Sequence, residues 1–197
     1  GLLHLRQGDL PQAIARLETG LAICQTTDAR LLLPLAAGAL GYAYALSGRL
    51  AEAQPLLEQA VELTTAARRM SPYPLWAAHR GEASLLAGRL EEAHQLAERA
   101  LTRARDTKQQ AYEAYALRLY GEIAAHGESP EVEQADASYQ QALALAEELG
   151  MRPLQAHCHR GLGTLYAQLG KQEQARTALS TAIEMYRDMA MTFWLPE

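Results

Sequence analysis

The sequence predicts an all-α solenoid of stacked antiparallel helix pairs, and two observations lead to this prediction. Nearly the same phrase occurs twice, as GRLAEAQPLLEQAVEL at 48–63 and as GRLEEAHQLAERALTR at 88–103, forty residues apart. An alanine also recurs along the whole chain with steps of 40, 40, 42 and 40 residues, at Ala13, Ala53, Ala93, Ala135 and Ala175. Regular steps of this length are typical of repeat proteins, in which each unit packs only on its neighbours.

Each predicted unit contains two helices, A and B. Helix A of the second unit, LLLPLAAGALGYAYALSG (31–48), is apolar almost all round, as expected of a helix that packs on both sides. Helix B, RLAEAQPLLEQAVEL (49–63), carries its apolar residues on one stripe, three and four residues apart. The glycine between them can take the left-handed conformation that ends a helix. Gly41 and Ala53 are predicted to lie where the two helices cross, because small side chains allow a close approach.

The units are predicted to form one solenoid fragment over 1–197. The complete units are 30–69, 70–109, 110–151 and 152–191, and partial units lie at 1–29 and 192–197. Because Gly1 stands at the register of Gly41, the first unit lacks most of its helix A. At the other end, MTFWLPE (191–197) is predicted to begin a sixth helix A. The start at Gly1, with no methionine before it, suggests a piece of a longer protein.

Two places are predicted to depart from the regular unit. The single step of 42 residues falls near ESPEVEQADASY (128–139), which predicts a longer loop around 126–129. Ser129 is the expected N-cap there, with helix B resuming near Pro130. Pro55 falls inside a helix B, where proline removes a backbone hydrogen bond, and it predicts a kink or an irregular turn.

Composition and charge exclude several classes of function. The net charge of −5 argues against nucleic acid as the main partner, since phosphate binding needs a clustered positive face. Cys24 and Cys158 lie far apart and make no disulfide framework, so a cytoplasmic location is the expectation. No apolar run approaches the ~20 residues that a membrane-spanning helix needs.

No motif predicts catalysis, a cofactor or a metal. His157 and His159 lie two residues apart, so on a helix they point in nearly opposite directions and do not share one ion. The Gly-x-Gly at Gly161 lies inside a helix rather than in a strand-to-helix turn, which argues against a phosphate site. Ser84, Cys24 and Cys158 lack a patterned base. We therefore expect a protein that is not an enzyme.

The phrases LGYAYALSGRLAEAQPLLEQA (40–60) and LGTLYAQLGKQEQARTALSTA (162–182) resemble the tetratricopeptide repeat consensus. They share its Leu-Gly, then tyrosine, glycine and two alanines at the family's spacing. The period of about 40 exceeds the usual 34, and prolines stand at the start of helix A (Pro34, Pro74 and Pro153) instead of late in helix B. The resemblance implies a right-handed superhelix. Long repeats of this type resemble those in C-terminal regions of bacterial multidomain signalling ATPases, cyclases and transcriptional regulators.

The same resemblance implies which residues face the concave groove, which the A helices line. The inward positions lie three before, one after and four after the glycine of each helix A. They are Gly38, Ala78, Arg118 and Arg160; Tyr42, Glu82, Glu122 and Thr164; and Ala45, Leu85, Ala125 and Ala167. The candidate binding residues are Tyr42, Glu82, Tyr115, Arg118, Glu122, His157 and Arg160. Two interpretations stay open, because the arginines are either a site for a partner or part of an internal network with the glutamates.

Two functions from different classes are consistent with these residues. The first is a non-enzymatic scaffold that binds a protein or peptide in the groove and belongs to a larger bacterial signalling protein. Self-association through the truncated ends is a further expectation, and neither nucleic acid nor a membrane is expected as a partner. The alternative is an effector sensor, in which a small ligand in the groove controls an attached ATPase, cyclase or DNA-binding domain.

Overall fold

The computed structural model describes residues 1–27, 29–65, 72–126 and 130–195, and none of these residues forms a strand. The helices are α1 (Leu2–Gln7), α2 (Leu10–Thr26), α3 (Leu33–Leu46), α4 (Leu50–Thr65), α5 (Tyr73–Leu86), α6 (Leu90–Asp106), α7 (Gln110–Ala124), α8 (Val132–Glu148), α9 (Arg152–Gln168) and α10 (Gln172–Asp188). A short 3₁₀ turn, Thr192–Trp194, follows them. The predicted all-α fold is confirmed.

The helices stack in chain order, as expected of a solenoid. The A helices α3, α5, α7 and α9 each pack against their own B helix, which follows them in the chain. Each A helix also contacts the next A helix, and each B helix contacts the A helix that follows it. The A helices therefore form one continuous wall, along which equivalent residues of successive units lie side by side.

Small residues allow the helices of one unit to cross closely. A Cβ added at Gly41 would lie 2.9 Å from Cγ of Leu57 and 3.1 Å from the carbonyl oxygen of Ala53. Ala53 and its equivalent Ala93 have no exposed surface. At the turn between α3 and α4, Gly48 has a φ of 80°, the left-handed conformation that the sequence predicts there.

The irregular positions follow the predictions only in part. After α7, the next helix begins at Val132 with Glu131 as its N-cap, so it starts two residues beyond Pro130. The predicted cap, Ser129, lies outside the described residues. The irregular turn predicted at Pro55 does not form, because α4 continues through this proline as an α-helix. The prediction of a sixth helix A is also wrong for the described residues, because only the 3₁₀ turn forms before Leu195.

The two ends of the chain meet across the concave face. A Cβ added at Gly8, in the turn between α1 and α2, would overlap Cβ of Phe193 and lie 3.1 Å from a ring carbon of Trp194. Helix α1 and the 3₁₀ turn therefore border the concave face together. None of the described helices combines the length and the hydropathy needed to cross a bilayer.

Ala93→Leu should destabilise the protein by about 1–3 kcal/mol, because the larger side chain overpacks the crossing of α5 and α6. The free energy of unfolding in urea measures this loss. Ala51→Leu is the matched control, since Ala51 is exposed on the equivalent helix α4 and should change stability by less than about 0.5 kcal/mol. Equal stability of the two variants would contradict the crossing.

Candidate functional site

The concave face contains two chambers separated by a polar network. The first, which we call the aromatic chamber, has a volume of about 170 Å³ and lies toward the N-terminal ends of the A helices. The second, the open chamber, has a volume of about 940 Å³ and lies toward their C-terminal ends. Each A helix contributes one residue to the aromatic chamber six positions before its glycine, namely Leu35, Leu75, Tyr115 and His157.

Arg118 is the centre of the network between the chambers. Its Nη2 donates to Oε2 of Glu82 at 2.7 Å, and its Nη1 donates to Oε1 of Glu122. Tyr42 donates from its hydroxyl to both carboxylate oxygens of Glu82, at 3.0 and 3.1 Å. These residues belong to α3, α5 and α7, so only the folded stack brings them together. Arg118 is 4% exposed, which makes it one of the few buried charged residues of the described chain.

The two carboxylates that share Arg118 have opposite pKa shifts. Burial alone would raise the pKa of Glu82, but Arg118, His79 and the hydroxyl of Tyr42 outweigh it and hold this pKa below its ordinary value. Burial raises the pKa of Glu122, and repulsion by Glu82 adds to this despite the attraction of Arg118. One cation between two carboxylates leaves the network short of positive charge.

His79 forms one wall of the aromatic chamber as a neutral ring. It stacks on Tyr42 with ring centroids 3.8 Å apart and planes 7° apart, and it meets Trp76 and Tyr115 edge to face. Burial lowers the pKa of His79 to about 4, although Glu82 opposes this shift. The imidazole therefore carries no charge at neutral pH.

His157 forms the opposite wall and is fixed from the C-terminal end of the chain. Its Nδ1 lies 2.7 Å from the hydroxyl of Tyr186, and its ring meets Trp194 edge to face with centroids 5.0 Å apart. Burial lowers the pKa of His157 well below its ordinary value, and the charges of Arg118, Arg160 and Arg6 add to the effect. The surroundings of this ring are electropositive.

Arg160 differs from Arg118 although both stand at the same register. It lines the open chamber and is half-buried. Its backbone carbonyl accepts a hydrogen bond from the Thr164 hydroxyl, but its guanidinium has no hydrogen bond or ion pair with any residue that the structure describes. Its charge lowers the pKa of Glu122 without direct contact. Arg118 thus belongs to an internal network, whereas Arg160 is available to a partner.

The sequence-predicted site residues all lie on the concave face but do not form one site. Tyr42, Glu82, Arg118 and Glu122 make up the network. Tyr115 and His157 line the aromatic chamber, and Arg160 lines the open chamber.

Several residues of the face were not predicted. Trp76 and His79 lie on α5 away from the three inward positions that the family resemblance implies, and Arg6 comes from the truncated first helix. Tyr139 belongs to a B helix, yet it lines the open chamber, because the glycines of the neighbouring A helices leave room for its ring. A Cβ at Gly161 would lie 2.8 Å from the hydroxyl of Tyr139. The sequence signal that could have identified Tyr139 is Gly161, an additional glycine within this helix A, two residues before Gly163.

The histidines and Cys158, which the sequence offers as candidate ligands or nucleophile, do not form a reactive cluster. The described residues contain no group of three His, Cys, Asp or Glu side chains placed to hold an ion. His157 lines the aromatic chamber, whereas His159 lies on another face beside Leu162 and Tyr166. Burial raises the pKa of Cys158 to about 12, so its thiol stays protonated.

The tetratricopeptide repeat family model matches residues 1–66 and 131–188, which is more than half of the chain. No curated protein matches the chain. Among solved structures, BtubC (BKLC) from P. vanneervenii aligns with a TM-score of 0.65 at 15% identity over 95% of this chain and 75% of that chain.

Two further structures share the fold. A Signal Transduction ATPase with Numerous Domains protein with a tetratricopeptide repeat sensor, from Pyrococcus horikoshii, aligns with a TM-score of 0.59 at 22% identity, over 83% of this chain and 25% of that chain. A putative kinesin light chain with nearly identical TPR-like repeats, from Podosopora anserina, aligns with a TM-score of 0.52 at 20% identity, over 94% and 90%. These likenesses concern the fold.

Arg118→Met should cost about 3–5 kcal/mol of unfolding free energy, because it leaves two buried carboxylates without their cation. Arg160→Met is the matched control at the same register and should cost less than about 1 kcal/mol. Urea unfolding of both variants measures the difference. Adding Glu122→Gln to Arg118→Met should recover part of the loss, and equal costs for the two arginines would show that the network is not structural.

Acid should destabilise the fold partly through His79. Its folded pKa of about 4 lies below the ordinary 6.5, so between these values the unfolded chain binds a proton that the folded chain does not. Stability is therefore lost as the pH falls through this window. His79→Phe keeps an aromatic ring at this position, and it should reduce the loss between pH 6.5 and about 4 by about 1–3 kcal/mol.

Unfolding free energies measured across this pH window test the effect. The same pH dependence in the wild type and in His79→Phe would contradict a neutral His79.

Proposed function

Because the chain belongs to the tetratricopeptide repeat family, whose repeats are non-enzymatic interaction scaffolds in general, we propose that it binds an extended segment of a partner protein in the open chamber. The unpaired Arg160 is the observation that carries this proposal. A half-buried guanidinium without a carboxylate partner has lost part of its hydration and gains from an acceptor that a ligand brings.

The open chamber has the chemistry that an extended backbone needs. Arg160 donates hydrogen bonds to a backbone carbonyl or a carboxylate, and its planar fork can hold two acceptor atoms. Glu122 lines the same chamber and offers a carboxylate oxygen to a backbone N–H. An extended chain presents both kinds of group in alternation, so one donor and one acceptor can hold it in register.

Apolar residues of the same chamber supply the remaining contact. Leu46 and Leu86 are the last residues of α3 and α5, stand at equivalent positions, and line the open chamber. Leu86 is 54% exposed, so a partner's apolar side chain would remove its surface from water. The preferred segment therefore combines an apolar residue with an acidic residue or a free carboxylate.

The wider role that we propose is part of a bacterial, cytoplasmic signalling protein. The long repeat period supports this proposal, and the likeness to a signal transduction ATPase with a tetratricopeptide repeat sensor supports the signalling part of it. In such a role the groove holds the chain that the attached domain must recognise or release.

Effector sensing is the second candidate, and the aromatic chamber favours it. This chamber is small, lies on the other side of the Arg118 network from the open chamber, and is lined mainly by aromatic and aliphatic side chains. Its size suits a small molecule rather than a polypeptide. A ligand there would contact Tyr42 and Arg118. These two residues are hydrogen-bonded to Glu82 and Glu122, which line the open chamber.

Self-association through the chain ends stays a prediction. The exposed leucines near the N terminus, Leu2, Leu3, Leu31 and Leu32, are the surface that it would use.

Arg160→Gln should weaken peptide binding at least tenfold. A phage-displayed library of random twelve-residue peptides, selected on the wild-type protein, should yield peptides that combine an apolar and an acidic residue. Arg176→Gln is the matched control, because Arg176 is exposed on α10 and paired with Glu173. Failure to select any peptide, or equal binding of the selected peptides to both variants, would overturn the proposed site.

A further inference from the structure

The aromatic chamber contains buried hydrogen-bonding atoms that have no partner. Five side-chain nitrogen or oxygen atoms of the described residues are buried without a hydrogen bond, and three of them belong to residues that line this chamber: Trp76 Nε1, His79 Nδ1 and Arg118 Nε. Buried polar atoms usually have a hydrogen-bond partner. The walls of this chamber therefore contain polar groups that lack a partner, as well as aromatic rings.

Two of these atoms require an acceptor. The indole N–H of Trp76 and the Nε–H of Arg118 can only donate, whereas His79 donates or accepts according to its tautomer. Each terminal nitrogen of Arg118 donates to a glutamate, so Nε is the one nitrogen of this guanidinium without a hydrogen bond. A complementary ligand therefore presents oxygen acceptors.

The charge of the chamber favours an anion. Its described lining residues include two arginines, Arg6 and Arg118, and no aspartate or glutamate. Arg118 is paired with Glu82 and Glu122, so Arg6 is the cation that favours an anion here. Arg6 donates to the hydroxyl of Tyr115 at 3.2 Å and has no carboxylate partner among the described residues. Arg6, Tyr115 and His157 all line the chamber at one end, and the surroundings of His157 are electropositive. A ligand carboxylate fits best at this end.

The volume and the aromatic walls of the chamber favour a ligand with a flat ring. The stacked pair of Tyr42 and His79 presents an aromatic surface, and Trp76 lies edge to face with it. The volume of about 170 Å³ is close to that of cavities of about 150 Å³ that hold one benzene ring. Leu2 and Leu35 line the chamber and are 44% and 40% exposed, which places its mouth between α1 and the start of α3.

We propose that the aromatic chamber binds a small planar organic carboxylate with a body of about one aromatic ring. The carboxylate lies near Arg6 and Tyr115, and the ring packs against the stacked pair of Tyr42 and His79. This inference deepens the second candidate function, effector sensing, and rests on it, whereas peptide binding at Arg160 is independent of it.

Titration of the protein with benzoate, followed by calorimetry and by NMR, tests the proposal. We expect binding with one site per chain, at least tenfold tighter than for benzamidinium, which has the same ring and the opposite charge. Leu35→Trp fills the mouth from an exposed position and should abolish binding. Leu86→Trp, which changes another exposed leucine that lines the open chamber instead, is the matched control and should bind as the wild type does.

Arg6→Gln gives a second test that does not depend on filling the chamber. Arg6 is exposed on α1, and its replacement should weaken benzoate about tenfold without weakening benzamidinium. No binding at millimolar benzoate, equal affinity for the two probes, or full binding by a folded Leu35→Trp variant would overturn the proposal. An equal effect of Arg6→Gln on both probes, or no effect on either, would also overturn it.

The peptides selected by phage display test effector sensing separately from benzoate binding in the aromatic chamber. If benzoate binds as expected and changes peptide affinity, both the site and sensing are supported. If benzoate binds as expected and leaves peptide affinity unchanged, the site is supported and effector sensing fails.

Discussion

The close approach of alanine and glycine at each helix crossing is the constraint on which the rest of the structure depends. Ala53, Ala93 and Ala135 have no exposed surface, and Gly41 lies within van der Waals distance of the helix that it crosses. Interiors packed this closely have few alternative arrangements. The A helices are therefore held at a fixed spacing, and side chains from three of them can meet in one network.

The network around Arg118 uses that spacing to divide the concave face. A buried arginine with two carboxylates contributes little net stability compared with apolar packing, because all three groups lose their hydration. What it does contribute is a polar partition with a fixed geometry. On one side lies a chamber with aromatic walls, and on the other lies a wider one with an unpaired cation. A groove that would otherwise be continuous thereby offers two chemically different surfaces.

The sequence predicted the repeat and the inward-facing arginines. It did not predict which residues from the two ends of the described chain border the concave face. Spacing alone placed Arg118 and Glu122 on one helix face, since they stand four residues apart. The bond from Arg118 to Glu82 also follows from the ladder once adjacent A helices are known to touch. The roles of Arg6 and Trp194 could not be predicted, because a repeat pattern describes contacts between neighbours and these residues come from opposite ends. His79 was missed because the family's inward positions were applied at three registers and its position is not among them.

The contact of Phe193 and Trp194 with Gly8 changes how this solenoid should come apart. An open stack of repeats frays from its ends, because each terminal unit is held on one side only. Here the first and last described elements also contact each other, so detachment of either exposes part of the other. Loosening of one of these elements is therefore expected to loosen the other under thermal stress.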